Sequence, residues 1–216
     1  VILKVKVCGI TNIEDALLVE SCGASGVGFI FYQESKRFVT PEKVKEIDEK
    51  LSDHILRIGV FVNTNADIIN EISDFCNLNI VQLHGDEPDS CLKEINLPII
   101  RAYRVESNSF KSVVINTSFV SLFDSFSDGQ FGGTGKQFRW DIIPEVIINK
   151  SILSGGLNID NLEQLFRDIR PAAIDISSSV EKTPGKKDEK KVKEFFNKYQ
   201  ILRNNYADFD GIKFDK

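Results

Sequence analysis

The 216 residues contain no methionine at all, one tryptophan and two histidines. Composition offers no physical account of the missing methionine. Two histidines are too few for a His-rich metal centre, and no Ser/His/Asp order is present for a hydrolytic triad. The four cysteines, Cys8, Cys22, Cys76 and Cys91, show no CxxC spacing of the zinc or redox kind. No apolar run approaches the ~18 residues of a membrane span, and no basic stretch leads into a short apolar signal core. A net charge of −5 speaks against a non-specific nucleic-acid binder. G-x-G-x-x-G is also missing, and with it the fingerprint of a dinucleotide-binding open sheet. These absences lead to an expectation of a cytoplasmic globular chain with reduced thiols, no metal, and no nucleic-acid or membrane partner. No linker or low-complexity stretch divides it, so a single domain over residues 1–216 is expected, with 204–216 as a tail over the domain surface or partly disordered.

What is present is a regular alternation. Apolar, β-rich runs occur at Leu3–Val7, Gly26–Phe31, Leu56–Val62, Ile80–Leu83, Ile99–Val105, Phe119–Phe123, Ser151–Leu153 and Ala172–Ile176. Their near-continuous hydrophobicity suits parallel strands covered by helices. The run at 99–105 is the weakest, because it carries Arg101 and Arg104. Helical signals fall between the runs. Thr11–Glu14 fits a capping box for a helix ending at Gly23, and Thr40-Pro41 gives a cap with proline in the first turn. Asn65, Asp86-Glu87-Pro88, Asn158 and Asp188 precede further helically spaced apolar residues. Eight strand–helix units predict a (β/α)8 barrel of parallel strands; a doubly wound open sheet is the alternative.

In such a barrel, chemistry collects at the C-terminal ends of the strands. Those ends carry Cys8, Tyr32, Asn63, Gln82 with His84, Arg104, Asp124, Ser154 with Gly155 and Gly156, and Asp175 with Ser177, Ser178 and Ser179. Glycines and small polar residues after strands seven and eight expose backbone N–H groups, which makes Gly155, Gly156 and Ser177–Ser179 a candidate phosphate site. Cys8 and Asp124 at one mouth would supply a base and an acid, provided the thiol pKa is lowered locally. Arg37, after the second strand, is placed to hold a carboxylate in bidentate fashion. The segment Phe131–Lys136 resembles a phosphate loop only superficially, since Gln137 follows Lys136, and reads better as a lid with glycine hinges.

With these motifs assembled, the chain resembles the phosphoribosylanthranilate isomerase family of tryptophan biosynthesis. The likeness runs through Lys6–Thr11, Gly28–Tyr32 with Ser35-Lys36-Arg37, Gly59–Asn63, Val81–Gly85, Phe123-Asp124, Gly132–Lys136, Leu153–Leu157 and Asp175–Ser178 with Val180-Glu181 and Pro184–Asp188. The resemblance implies an Amadori rearrangement without cofactor or metal, acting on a small phosphorylated substrate. Asp124 would be the general acid and Cys8 the general base. Arg37 would hold the anthranilate carboxylate, Gln82, His84 and Asp175 would line the pocket, and the glycines with Ser177–Ser179 would cradle the phosphate. One position departs from the family pattern: Ser179 stands where a glycine is usual, and would be strained if the backbone there needs φ > 0. Monomer and homodimer are both compatible with the sequence.

Two competing readings remain. A relative acting on another phosphosugar would need a catalytic lysine or a metal at the strand ends, and none is expected there. A non-catalytic phosphate-binding barrel would lack the acid/base pair, of which both members are present.

Overall fold

The computed structural model describes residues 2–88, 92–105, 115–116, 118–125 and 139–214. The apolar runs form eight parallel strands, β1 (Val5–Cys8), β2 (Gly26–Ile30), β3 (Leu56–Phe61), β4 (Ile80–Leu83), β5 (Ile99–Val105), β6 (Val120–Ser125), β7 (Ile152–Leu153) and β8 (Ala173–Ile176). Each pairs with its successor, and β8 returns to β1 through Val5↔Ile174, Lys6↔Asp175 and Val7↔Ile176. That closing ladder makes the sheet a barrel and rules out the open sheet. The weakest run, β5, pairs with β6 over six residues, Ile100↔Val120 to Val105↔Ser125. Its arginines are tied down locally, Arg101 to Glu87 and Arg104 to Asp86.

Strand parity sorts the side chains into two layers. Val5, Val7, Val27, Phe29, Phe61, Val81, Leu83, Phe123, Leu153, Ile174 and Ile176 turn outward into a core shared with the helices. Inside the barrel, Ile58, Ile80, Ile100, Leu122, Ile152 and Ala173 build an apolar layer that Leu3 and Ile212 join. Each fully buried Leu, Ile or Phe in these layers stabilises the fold by roughly 1.5–3 kcal/mol. Two positions further along β4, β6 and β8, the inward residues become polar, at Gln82, Asp124 and Asp175.

The helices α1 (Ile13–Cys22), α2 (Pro41–Asp48), α3 (Ala66–Phe75), α4 (Glu145–Ile148), α5 (Leu162–Gln164) and α6 (Glu189–Asn205) cover the wall. Thr40, Asn65 and Asp188 cap α2, α3 and α6 as expected, each accepting a backbone N–H. The first cap differs from expectation by one residue. Asn12 accepts the Asp15 N–H and donates to the Asp15 carboxylate, while the Thr11 hydroxyl donates to the Gly185 carbonyl instead. Asn158 does not start a regular helix. It accepts the N–H groups of Asp160 and Asn161 in a turn, and the helix begins at Leu162 before widening into a π-turn over Leu165–Ile169. Cys76 ends α3 fully buried, and burial pushes its thiol up to about 12, the behaviour of an inert core cysteine. Cys91, and with it the start of the helix expected after Pro88, lies outside the described residues.

The tail is more ordered than its composition suggests. Phe209 stacks on Phe166 at 4.4 Å, and Ile212–Lys213 pairs antiparallel with Ile2–Leu3. Among the described residues no helix is long and apolar enough to cross a membrane.

Candidate active site

Parity and closure place Cys8 from β1, Gln82 and the following His84 from β4, Asp124 from β6, and Asp175 with Ser177 from β8 around one cavity. Arg37 joins them, and Ile30, Tyr32, Val60 and Val62 supply an apolar wall. All the candidate catalytic and pocket residues named from sequence therefore meet in one place.

The thiol side is dominated by charge. Lys6 is fully buried, and its Nζ donates to Asp175 Oδ2 at 2.8 Å. Burial opposes its charge, yet the net direction is upward from the ordinary lysine value, with the Asp175 carboxylate the largest influence raising it. Burial pushes the Cys8 thiol up, with Lys6 the main influence pulling it down. A locally lowered pKa, the condition for a base at this position, is not met, since the net direction is upward. Gly28 makes the arrangement possible, since a Cβ there would lie 2.7 Å from Cys8 Sγ and 3.0 Å from Lys6 Cε.

Arg37 is already engaged. Its Nε donates to Glu181 Oε1 at 2.9 Å and its Nη2 to Oε2 at 2.7 Å, a bidentate fork. Lys187, also buried, donates to Glu181 Oε1 at 3.1 Å and to the Cys8 carbonyl at 2.6 Å. Burial would raise the Glu181 carboxyl, but Arg37 and Lys187 together hold it below its ordinary value. The Ser177 hydroxyl also donates to the Cys8 carbonyl, at 3.1 Å, so it braces β1.

The Asp124 side is sparser. Asp124 is buried, and its Oδ1 accepts the Ser125 N–H at 2.8 Å. Its Oδ2 lies 3.4 Å from His84 Nε2, and the other ring nitrogen, Nδ1, meets the Gln82 amide at 3.0 Å. Gln82 Oε1, His84 Nε2 and Asp175 Oδ1 are buried without a hydrogen-bond partner among the described residues. Such atoms are costly to leave unpaired, and three around one cavity fit a ligand rich in hydroxyls and acceptors.

The profile of the family described as N-(5'phosphoribosyl)anthranilate (PRA) isomerase matches residues 5–198. The chain is 46% identical over 197 residues to the N-(5'-phosphoribosyl)anthranilate isomerase of Bacillus cereus (strain G9842), covering 89% of this chain and 96% of that one. The chain belongs to this isomerase family. The crystal structure of phosphoribosyl anthranilate isomerase from Thermus thermophilus superposes with a TM-score of 0.84 at 30% identity, covering 93% of this chain and all of that one. A further isomerase, solved in complex with reduced 1-(o-carboxyphenylamino)-1-deoxyribulose 5-phosphate, gives a TM-score of 0.78 at 35% identity, with 92% and 99% covered.

In this family member a second cavity is lined by Gly156, Ser178, Ser179, Asn158 and Lys191. Gly155 lines neither cavity. Its φ of +77° requires glycine, and a Cβ there would sit 2.5 Å from the Ser125 nitrogen and 2.9 Å from Asp124 Oδ1. Its missing side chain thus leaves room for the Asp124 carboxyl. Ser179 lies in a 3-10 turn over Ser178–Val180, and positive φ among the non-glycine described residues is confined to Asn63, Asn77 and Arg170. The serine imposes no left-handed strain. The glycine-hinged lid at 131–136 falls outside the described residues.

Lys6, Glu181 and Lys187 were not singled out by sequence reasoning. Lys6 lies inside β1, two residues before its end. Its signal was available: a lysine two residues before Cys8 in an alternating strand must face the same way. Lys187 and Glu181 carried no such signal.

Proposed function

We propose that the chain catalyses the Amadori rearrangement of N-(5'-phosphoribosyl)anthranilate to 1-(o-carboxyphenylamino)-1-deoxyribulose 5-phosphate. The observation that carries this reading is the meeting of Cys8 and Asp124, from separate strands, in one cavity beside the Gly156–Ser178–Ser179 cavity. Asp124, as the carboxylic acid, gives its proton to the furanose ring oxygen while the C1–O bond breaks and the nitrogen lone pair forms the C1=N bond. Cys8, as thiolate, takes the C2 proton; the C–H pair becomes C1=C2, and the C1=N pair returns to nitrogen. The enolamine then tautomerises, its hydroxyl proton lost and C1 protonated, to the ketone.

No cofactor is needed, because the anthranilate nitrogen acts as the electron sink. The apolar wall of Ile30, Tyr32, Val60 and Val62 suits the aromatic ring. Arg37, held by Glu181, would meet its carboxylate. Gln82, His84 and Asp175 would take sugar hydroxyls. The backbone of Gly156, Ser178 and Ser179 would bind the phosphate, with Gly155 and Ser177 shaping the site behind it. We read the chain as one domain, cytoplasmic, working as a monomer or homodimer in tryptophan biosynthesis.

The test is loss of phosphoribosylanthranilate fluorescence with the wild type, Cys8→Ser and Asp124→Asn. Turnover by the wild type and its collapse in both variants are expected. A folded wild type without turnover refutes the activity, and full activity in both variants refutes the roles.

A further inference from the structure

A buried lysine inside the barrel calls for an explanation that stability does not give. Lys6 has no exposed surface, and a buried ion pair is commonly no more stable than the apolar residues that could replace it. Its position is fixed on three sides. The closing ladder sets Lys6 directly beside Asp175, the ammonium bonds Asp175 Oδ2 at 2.8 Å, and Cε lies over the bare Gly28 backbone, where Cys8 Sγ also rests. The substrate reading above gives Lys6 no contact with the reacting atoms. It does leave a difficulty: burial pushes the Cys8 thiol above its ordinary value, whereas a base must be a thiolate.

We propose that Lys6 is a positioning residue for proton abstraction, its buried ammonium being the counter-charge that lets Cys8 exist as a thiolate in a water-poor site. The inference rests on the isomerase reading, in which Cys8 is the base. Before turnover the thiol proton leaves to solvent, and the thiolate faces Lys6. On taking the C2 proton, Cys8 returns to the neutral thiol and Lys6 falls back on Asp175. The groups acting on Cys8 are Lys6 from its own strand, Asp175 from β8, Lys187 from the 186–187 strand and Arg37 from the loop after β2. Asp124 and His84 complete the charges around the cavity. Among these, Lys6 is the largest influence favouring the thiolate, and Asp175 opposes it. Lys187 spends its bonds on the Cys8 carbonyl and Glu181.

The experiment uses Lys6→Met in the full chain. Thiolate ultraviolet absorbance is followed against pH, with Cys8→Ser as the blank, alongside the pH profile of kcat/KM. The Cys8 midpoint should rise by about 1–2 pH units, and the ascending limb of kcat/KM should move with it while KM changes little. A midpoint and limb that stay in place overturn the proposal. Should Lys6→Met fail to fold, Lys6→Gln decides, since it removes the charge and leaves an amide that can still donate to Asp175 Oδ2. The midpoint should again rise, and an unchanged or lowered midpoint overturns the proposal. A wild type without turnover, combined with a shifted thiol in Lys6→Met, would remove the isomerase reading and leave the effect of Lys6 on Cys8 standing.

Discussion

On the β1–β8 side of the cavity, charges are tied to one another: Lys6 to Asp175, and Arg37 and Lys187 to Glu181, all within hydrogen-bond distance. On the β4–β6 side, Asp124 meets a backbone N–H and, at 3.4 Å, His84 Nε2, and among the described residues Gln82 Oε1 and His84 Nε2 make no hydrogen bond, against Asp175 Oδ1 alone on the other side. The difference suits the chemistry proposed for each side. A base that must ionise inside a protein needs its counter-charge in place beforehand, because no solvent reorganises to supply it. The acid and its neighbours instead leave hydrogen-bonding capacity open for the substrate to complete.

The largest expected effect comes from removing a proton-transfer group on either side. Asp124→Asn keeps the shape and removes the acid, so kcat/KM should fall about 10²–10⁴-fold with KM little changed. Cys8→Ser should cost a similar factor, because a hydroxyl ionises far less readily than a thiol. Steady-state kinetics on both variants test whether the two sides contribute comparably; a loss confined to one would break the comparison.

Next comes Gly155→Ala, which disturbs the acid side alone. A Cβ there collides with the Ser125 nitrogen and crowds Asp124, and φ of +77° disfavours alanine besides. Displacing the acid by even a fraction of an ångström should lower kcat by about 10–100-fold while the Cys8 titration stays unchanged. A shifted Cys8 titration would show that the sides are not independent.

Glu181→Gln disturbs the other side. It weakens the fork on Arg37 and leaves Lys187 buried without its counter-charge, so KM should rise about tenfold, with a stability loss of about 3 kcal/mol near neutral pH. The carboxyl is held below its ordinary value of 4.5, so the stability it contributes is present above that pH and lost as pH falls through its lower folded value. Denaturation at a series of pH values should therefore show the gap between wild type and variant closing on the acid side. A gap independent of pH would refute the charge argument.

The strands, the barrel and the inward set were legible because they depend on local periodicity. Lys6 with Cys8, Gln82 with His84, and Asp175 with Ser177 are each two residues apart, so one face follows from the pleat. What was not legible depends on closure. Glu181 reaches Arg37 across 144 positions, and Lys187 reaches the Cys8 carbonyl across 179. Neither separation leaves a local pattern. The shift of the first cap from Thr11 to Asn12 has the same origin, since Gly185 from the far end of the chain claims the threonine hydroxyl. The proviso attached to Cys8, a locally lowered thiol pKa, could not be judged from sequence, because burial, which sequence does not quantify, outweighs the neighbouring cation.

The smallest effect is expected at Ser179, the departure from the family pattern. Glycine is demanded where φ is positive, and the Ser179 backbone is not left-handed. Its N–H belongs to the first turn of the 3-10 segment, where the N–H groups have no partner within the turn, and restoring glycine leaves that donor in place. The substitution removes only a hydroxyl that is buried without a partner among the described residues. Two small terms then oppose each other: relief of that unpaired oxygen, and the extra chain entropy glycine loses on folding, each of order 1 kcal/mol. Ser179→Gly should accordingly leave KM and kcat within about twofold and stability within about 1 kcal/mol. A KM rise of tenfold or more on phosphoribosylanthranilate would mean the hydroxyl itself binds the phosphate, and the backbone account of that cavity would have to give way to a side-chain one.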